Sequence, residues 1–294
     1  MEYIPAKHLL HRSKSTSWFG TDHTMNLYRG CCHGCLYCDS RSACYQNPDF
    51  DRVKAKADAL RLLRDDLARK AKPAFITMGS MSDPYNPFEE ELQLTRHALE
   101  LIDAYQCGVA AATKSDLIVR DIDLYRLIQD HSPVICKLTV TTTDDALAEK
   151  IEPHAPPPSR RLRALEELAK AGIFSGVLLM PVLPYVEDSA ENVLSVVDSA
   201  ARAGARFVYA AFGVTMRDGQ RDYFLGGLDR AFPGMGERYR KKYGSRYYCS
   251  SPKAKELWEL FSARCRELGL LYEMRHIISA ATRSYEDRQL SFFD

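Results

Sequence analysis

The sequence lacks long hydrophobic runs and carries almost no net charge. None of its apolar stretches approaches the length of about 18 residues that a membrane-spanning helix needs. With 40 basic and 39 acidic side chains the formal charge is +1, so no global field draws the chain to nucleic acid or membrane. The N-terminus also lacks the charged start and apolar stretch of a signal peptide. We therefore expect a cytoplasmic protein.

Glycine and proline are also scarce, at 16 and 14 of 294 residues. This composition excludes collagen-like and low-complexity chains, and the 46% hydrophobic content is enough to bury a sizeable core. Four of the nine cysteines crowd between residues 31 and 38. Because disulfide scaffolds are typical of short secreted chains, crowded thiols in a chain of this kind indicate a metal centre.

From about residue 24 onward, short apolar runs alternate with helical stretches, which predicts alternating strands and helices. The predicted strands are 25–28, 74–78, 108–112, 134–141, 174–180 and 206–210. The predicted helices are 53–70, 88–105, 121–131, 160–171 and 188–203. Such units imply parallel strands joined by right-handed crossovers, arranged either as a barrel or as an open, doubly wound sheet.

One strand favours the barrel. Along 134–141, Lys137, Thr139 and Thr141 share one face, and a polar face suits an interior that lines a site better than a surface covered by helices. We therefore predict an α/β fold, a partial (β/α)6 barrel of parallel strands with a C-terminal helical cap and tail. Its predicted parts are an N-terminal extension (1–22), the barrel (23–211), a cap of the same domain (212–279) and the tail (280–294).

The crowded cysteines allow two spacings, Cys31-x3-Cys35-x2-Cys38 or Cys32-x2-Cys35-x2-Cys38. Either places three thiolates on one loop, which suits an iron–sulfur core and leaves a fourth iron without protein sulfur. A ferredoxin-type run would need a further cysteine followed by proline, and no proline follows Cys44. The alternative is a structural zinc site that adds His33 to the second set, although such sites usually join two cysteine pairs distant in sequence.

Three motifs frame this segment: Asn26-x-Tyr-Arg-Gly-Cys-x-His-Gly-Cys-x-Tyr-Cys38, Gly79-Ser-Met-Ser-Asp-Pro-Tyr85 and Thr113-Lys-Ser-x-Leu-Ile-x-Arg-Asp121. Together they resemble the radical S-adenosylmethionine (SAM) enzymes, and among these the spore photoproduct lyase-like group, often labelled DNA repair photolyases. The resemblance implies a [4Fe-4S] cluster on Cys31, Cys35 and Cys38, SAM on the fourth iron, and a 5′-deoxyadenosyl radical that abstracts hydrogen from the substrate. It makes Cys32 a bystander and implies an electron donor such as flavodoxin or ferredoxin.

The resemblance also implies a set of SAM-binding residues. Small, hydroxyl, aromatic and cationic side chains near the cysteines and the strand ends suit the amino, carboxylate and ribose groups of SAM. They are Tyr37, Gly79, Ser80, Ser82, Lys114, Thr139 and Thr141. The alternative is a local role, in which the serines shape a turn and Lys114 belongs to a helix cap.

The chain departs from spore photoproduct lyase itself at two positions. Met81 stands where that enzyme carries a hydrogen-donating cysteine, and Asp39 stands where it carries a relay tyrosine. A thioether has no S–H to donate, and an aspartate cannot form a phenoxyl-type intermediate, so we do not expect thymine-dimer reversal by the same relay. Cys249 in the predicted cap is the candidate for an alternative hydrogen donor, unless it is an ordinary buried or surface thiol.

A basic, tyrosine-rich segment lies between residues 236 and 255. Cations contact phosphates and tyrosines stack on bases, so the segment predicts a DNA-binding surface. Its candidate residues are Arg238, Arg240, Lys241, Lys242, Tyr243 and Arg246. The alternative is a solvated helical face whose tyrosines pack on the barrel.

The C-terminus resembles the peptide by which bacterial polymerases and repair proteins bind the sliding clamp. Its anchors would be Gln289, Leu290, Phe292 and Phe293, and the alternative is that the phenylalanines dock on the chain itself. We therefore expect a radical SAM enzyme, possibly of the lyase type, that acts in DNA repair or nucleic-acid modification. The rivals are the same chemistry on a peptide or small molecule, and a non-catalytic iron–sulfur or zinc module.

Overall fold

The computed structural model describes the backbone of residues 1–290 and the side chains of residues 1–285. Its strands are β1 (Glu2–Ile4), β2 (Leu10–Arg12), β3 (His23–Met25), β4 (Tyr28–Arg29), β5 (Lys54–Lys56), β6 (Phe75–Met78), β7 (Gly108–Thr113), β8 (Val134–Thr139), β9 (Ser175–Leu179), β10 (Phe207–Ala210), β11 (Gly213–Thr215) and β12 (Tyr248–Ser250). Its α-helices are α1 (Ala59–Ala68), α2 (Glu89–Leu92), α3 (Leu94–Ala104), α4 (Ile122–Gln129), α5 (Asp145–Ile151), α6 (Pro158–Lys170), α7 (Ala190–Arg202), α8 (Gln220–Ala231), α9 (Met235–Tyr243), α10 (Ala254–Glu267) and α11 (Met274–Leu290).

The main sheet has seven strands in the order β10-β9-β8-β7-β6-β3-β2. Strands β3, β6, β7, β8, β9 and β10 are parallel, and β2 pairs antiparallel with β3 at the edge. The parallel strands follow one another in chain order without reversal, so right-handed crossovers place their helices on one face of the sheet. A strand order that runs in one direction is typical of a barrel, whereas in a doubly wound sheet the strand order reverses partway across the sheet. The predicted fold of six parallel strands is confirmed.

Two hydrophobic clusters pack on the two faces of the main sheet, and a third joins the cysteine loop to the segment after β10. The outer face packs Leu138 of β8 against helix residues such as Ile128 and Leu165, all of them fully buried. The inner face holds a smaller cluster that includes Phe19 from the N-terminal segment and Ile277 from α11. One end of the barrel interior is therefore filled by chain segments from both termini, and the carboxyl ends of the strands are left for a site.

The N-terminal segment is part of the fold rather than an extension to it. Strand β2 belongs to the main sheet, and β1 pairs in parallel with β5, Glu2 opposite Lys54. This pairing also corrects the predicted helix 53–70, whose first residues form β5, so that α1 begins only at Ala59. Because the pairing partner lies about fifty residues away in sequence, local pattern could not reveal it.

Two other predicted boundaries differ from the structure. The helix expected at 88–105 is divided into α2 and α3 at Gln93, whose φ of 49° is left-handed. The tail expected from residue 280 instead continues α11, and Ala281 is buried beside Phe19 in the inner cluster. Among the described residues, no helix is both long enough and apolar enough to cross a lipid bilayer.

The segment after β10 folds over the loop that carries the crowded cysteines. Gln220 of α8 donates a hydrogen bond to the Tyr37 carbonyl at 3.2 Å, and the Arg41 guanidinium lies 3.8 Å from the ring centroid of Tyr223. The antiparallel strands β11 and β12 and helix α9 pack on the same side, with the Tyr239 hydroxyl donating to the Pro184 carbonyl at 2.7 Å. This cap therefore covers the cysteine loop directly.

Candidate functional site

A cavity of about 370 Å³ opens at the carboxyl ends of the central parallel strands. Ligands bind in this position in parallel α/β folds because the loops that leave the strands converge there. Of the residues predicted to bind the cluster or SAM, those that line the cavity are Cys31, Cys35, Cys38, Tyr37, Gly79, Ser80, Ser82, Lys114 and Thr139. The fold thus brings together four segments that are far apart in the sequence, namely the cysteine loop and the carboxyl ends of β6, β7 and β8.

Backbone hydrogen bonds hold the cysteine loop at both ends. The amide of Cys31 donates to the Phe50 carbonyl at 2.9 Å, and the amide of Leu36 donates to the Ile151 carbonyl at 2.9 Å. Gly30, which precedes the first cysteine, has a φ of 83°, and a Cβ there would lie 2.6 Å from the Phe50 carbonyl oxygen. Only glycine fits this approach, so the loop's course depends on it.

The three thiols suit an iron–sulfur cluster by donor type and placement. Burial raises the pKa of Cys31, Cys35 and Cys38, that of Cys35 to about 12. Thiolates in so dry a position need a strongly positive centre beside them, and an iron–sulfur core bound by cysteine sulfur supplies one. Cys32 lines a different cavity, beside Asp51, so the structure separates it from the other three.

The structure does not leave His33 free to be the fourth ligand of the alternative zinc site. The Nε2 atom of His33 lies 3.0 Å from Oδ2 of Asp83, so the histidine is engaged with a carboxylate. Three thiols facing one cavity instead fit a larger inorganic core.

Asp83 organises the carboxyl ends of β6 and β7. It accepts hydrogen bonds from the Thr113 hydroxyl at 2.5 Å and from the Lys114 amide at 2.9 Å, in addition to its contact with His33. Burial would raise the pKa of Asp83, but His33 and these hydrogen bonds lower it to about 2. The carboxylate therefore stays charged and ties the cysteine loop to the strand end that carries Lys114.

Some of the predicted SAM-binding side chains already have hydrogen-bond partners within the protein, and others do not have close ones. Ser80 is exposed and makes only long contacts with Asn26, at 3.4 Å and 3.5 Å. Ser82 is buried and donates to the Tyr28 carbonyl at 3.0 Å, which supports the local role. Thr141 does not line the cavity. Its hydroxyl is hydrogen-bonded to the buried Glu187, so the structure corrects the prediction that it reaches a ligand there.

The glycine after β6 allows the strand end to approach its neighbour. Gly79 has a φ of 87°, and a Cβ there would clash with the carbonyl oxygen of Ala112 on β7. Its backbone is therefore presented at the cavity wall without a side chain to cover it. This supports the predicted position of Gly79 in the site.

A buried charged group that the sequence analysis missed lies behind the cysteines. The Tyr37 hydroxyl donates to the carboxylate of Glu152, whose other oxygen lies 2.5 Å from Nη2 of Arg161. Lys114 Nζ lies 4.0 Å from Glu152 and 5.3 Å from the centroid of the Tyr37 ring. Burial would raise the pKa of Glu152, but the charges of Arg161 and Lys114 lower it, so the group stays ionised. No local motif marks Glu152 or Arg161 in the sequence.

The candidate hydrogen donor lies away from the cavity. Cys249 on β12 is fully buried in a cluster with Val214 and Tyr239, and burial raises its pKa to about 11. It does not line the cavity, so the prediction that it donates hydrogen to a bound substrate is corrected. Met81 does line the cavity. Asp39 accepts a hydrogen bond from the Thr215 hydroxyl at 2.9 Å and forms an ion pair with Arg217, whose Nε lies 2.9 Å from the carboxylate.

The basic segment keeps its cations at the surface but not all of its tyrosines. The exposed cations are Arg238, Arg240, Lys241, Lys242 and Arg246. Tyr243 is 5% exposed, and its hydroxyl donates to the Ser250 carbonyl at 2.7 Å, so its ring is not available for stacking and that prediction is corrected. Tyr247 and Tyr248 are exposed instead. The predicted clamp-binding side chains, Gln289, Leu290, Phe292 and Phe293, lie outside the described residues.

Comparisons with known proteins identify the family of this fold. The model of the radical SAM superfamily matches residues 25–208. An uncharacterized protein of Mycobacterium tuberculosis (strain ATCC 25618 / H37Rv) is 32% identical over 228 residues, which are 75% of this chain and 67% of that protein. An uncharacterized protein of Methanocaldococcus jannaschii is 31% identical over 169 residues, 58% of this chain and 63% of that protein.

Two solved structures share the architecture. Spore photoproduct lyase complexed with dinucleoside spore photoproduct superposes with a TM-score of 0.65 at 16% identity, over 92% of this chain and 81% of that chain. A radical SAM methyltransferase from Kitasatospora setae superposes with a TM-score of 0.53 at 13% identity, over 83% of this chain and 51% of that chain. At these identities the likeness shows the fold.

The separation of Cys32 from the other three cysteines predicts which thiols bind iron. Alanine at Cys31, Cys35 or Cys38 removes one of three ligands, so the anaerobically reconstituted variant should lose most of its iron and its charge-transfer absorbance. Cys32→Ala is the matched control and should keep both. Unchanged iron content in all three ligand variants would contradict the assignment.

The buried position of Glu152 predicts a large stability cost for its removal. Glu152→Ala leaves Arg161 charged and unpaired in the interior, so the free energy of unfolding in urea should fall by about 3–5 kcal/mol. The control is Glu149→Ala on the exposed side of α5, which should change it by less than about 0.5 kcal/mol. Equal losses in the two variants would show that Glu152 does not hold this group together.

Proposed function

Because the chain belongs to the radical SAM superfamily, we propose that it binds a [4Fe-4S] cluster and SAM in this cavity and acts on nucleic acid, in repair or modification. The observation that carries the proposal is the convergence of the Cys31, Cys35 and Cys38 thiols with Ser80 and Lys114 on one cavity at the strand ends. Cys31, Cys35 and Cys38 would hold the cluster, which would supply the electron for reductive cleavage of SAM and so the radical chemistry that removes hydrogen from the substrate.

The chain's own residues would hold SAM and keep water away. Lys114 provides a positive charge for the methionine carboxylate, and Ser80 and the backbone of Gly79 provide hydrogen-bonding groups beside it. Thr139, whose carbonyl accepts a hydrogen bond from Arg161 at 2.9 Å, lies at the end of β8 within reach of the ribose. The cap covers the cysteine loop from above, which limits solvent access to the reacting atoms.

Two observations support nucleic acid as the substrate class. The structural neighbour spore photoproduct lyase is complexed with a dinucleoside lesion, and the cap that lies on the cysteine loop presents a row of exposed cations on α9. Among the described residues, Lys242 and Arg246 have no carboxylate partner, whereas Lys241 pairs with Glu237 at 2.7 Å. Unpaired cations are free to neutralise phosphates.

The reaction differs from the relay that the resemblance would suggest. Methionine at position 81 and aspartate at position 39 donate no hydrogen atom, and Cys249 lies outside the cavity. We therefore propose hydrogen abstraction from a nucleotide without return of hydrogen from one of these side chains. A flavodoxin or ferredoxin as electron donor, the clamp-binding tail and a cytoplasmic location stay predictions.

The radical chemistry predicts SAM cleavage that depends on the ligand cysteines. Reconstituted protein reduced with dithionite should convert SAM to 5′-deoxyadenosine, measured by liquid chromatography. Cys35→Ala should abolish the product, while Cys32→Ala should retain it. Its absence from iron-loaded wild-type protein, with and without DNA, would contradict the enzymatic proposal and favour a binding module.

The exposed cations predict salt-dependent DNA binding through the cap. Lys242→Ala should reduce the slope of log Kd against log salt by about 0.7 for single-stranded DNA, since one phosphate contact is lost. Lys72→Ala is the matched control, because Lys72 is also exposed but precedes β6 at the opposite end of the sheet. Fluorescence anisotropy of a labelled oligonucleotide measures both. Absence of binding by wild-type protein would favour a peptide or small-molecule substrate.

A further inference from the structure

Two large apolar side chains stand exposed at the same cavity that holds the cysteines. Among the described residues, Trp18 and Met81 are the exposed large hydrophobics that line it, at 38% and 39% exposure. Leaving an indole ring partly in water is unfavourable, and at a concave site such exposure marks a surface kept for a ligand.

The backbone around Trp18 is built to hold it there. Phe19, the next residue, has a φ of 51°, a left-handed conformation that is costly for a bulky side chain. The Trp18 carbonyl accepts hydrogen bonds from the Thr21 amide at 3.2 Å and the Thr21 hydroxyl at 3.0 Å. This turn sends the two neighbouring rings to different places, with Phe19 in the barrel interior and Trp18 at the cavity.

Phe19 anchors the turn. It is fully buried, its amide donates to Met274 Sδ of α11 at 3.3 Å, and Lys137 Nζ lies 4.3 Å from its ring centroid. A strained residue held by contacts with two elements, α11 and β8, cannot relax without losing those contacts. Trp18 is therefore placed by the fold and is not a loose surface residue.

Among the described residues, the indole has two ring contacts, and both are edge-on, with Phe19 at 4.9 Å and 89° and with Tyr209 at 5.5 Å and 84°. Neither neighbouring ring is parallel to it, so a planar group could lie against the indole without displacing a ring. The cavity wall beside it adds apolar side chains, Met81, Leu178 and Met180 among them.

Trp18 also lies outside the part of the chain that carries the cofactor residues. The superfamily model begins at residue 25, whereas the thiols and the polar groups suited to SAM all fall within 25–208. The Trp18 indole thus comes from outside the segment that binds the cofactors. An aromatic ring at the edge of the cavity suits recognition of the substrate, which is the second molecule that the cavity must hold.

We propose that Trp18 is the substrate-positioning residue of this enzyme, and that it stacks on a nucleobase presented to the cavity from a single-stranded or flipped-out nucleotide. The proposal rests on the nucleic-acid function proposed above. Stacking on an aromatic ring tolerates any base, while the cations of the cap would contact the flanking phosphates.

The test uses tryptophan fluorescence, because the chain has only two tryptophans. Trp258→Phe leaves Trp18 as the sole reporter, and Trp258 lies on α10 and does not line the cavity. The reconstituted protein, with SAM but no reductant, is titrated with a short oligothymidylate and with an abasic oligomer of equal length. We expect quenching of Trp18 by the oligothymidylate alone.

Affinity measured by anisotropy completes the test. Trp18→Leu should weaken oligothymidylate binding by about tenfold and leave the abasic oligomer unaffected, whereas Trp18→Phe should restore most of the loss. If both oligomers bind equally and Trp18 is not quenched, the stacking proposal is overturned while the nucleic-acid function stands. If neither oligomer binds, both proposals are overturned.

A further titration separates the substrate from the cofactor. SAM carries an adenine that is also planar, so SAM is added alone to the same reporter protein before any oligonucleotide. If SAM quenches Trp18 fully and oligothymidylate adds no change, the indole serves the cofactor and the proposal is overturned. Little quenching by SAM followed by strong quenching by oligothymidylate supports it.

Discussion

One buried carboxylate, that of Glu152, is the interaction on which the site depends. It receives the Tyr37 hydroxyl from the cysteine loop, faces Arg161 of α6 and lies 4.0 Å from Lys114 at the end of β7. Removing any partner from such a group would leave an uncompensated charge in a dry interior, so each member fixes the others. Through Arg161, which also donates to the Thr139 carbonyl, the group extends to the end of β8.

The rest of the cavity is arranged around this charged group. Asp83 makes an analogous junction on the other side, where it joins His33 of the cysteine loop to the Thr113 hydroxyl and the Lys114 amide. The thiols of Cys31, Cys35 and Cys38 line the same cavity, and burial raises the pKa of each. A cluster bound there would be positioned by strands and buried ion pairs and not by a free loop, which is what a geometrically demanding reaction requires.

Different parts of the chain form the polar wall, the cover and the apolar rim of the cavity. The carboxyl ends of β6, β7 and β8 supply polar groups, the cap covers the cysteine loop, and the N-terminal segment supplies an apolar rim at Trp18. Phe19 and α11 fill the barrel interior below the cavity, so the same turn that completes the core also places the rim. Core packing by Phe19 and the position of Trp18 at the cavity are thus coupled, because the two residues are adjacent in one turn.

The sequence alone determined the fold class, the parallel strands and the cysteine loop. Strand and helix periodicity are local properties, and the three thiols suited to one inorganic core lie within one short loop, so both leave a readable pattern. Only the tertiary structure decided that Cys249 and Tyr243 are buried, and that Glu152 and Arg161 meet behind Tyr37. These facts depend on distances between residues far apart in the chain, and such distances are set by how the elements pack, which spacing along the sequence does not encode.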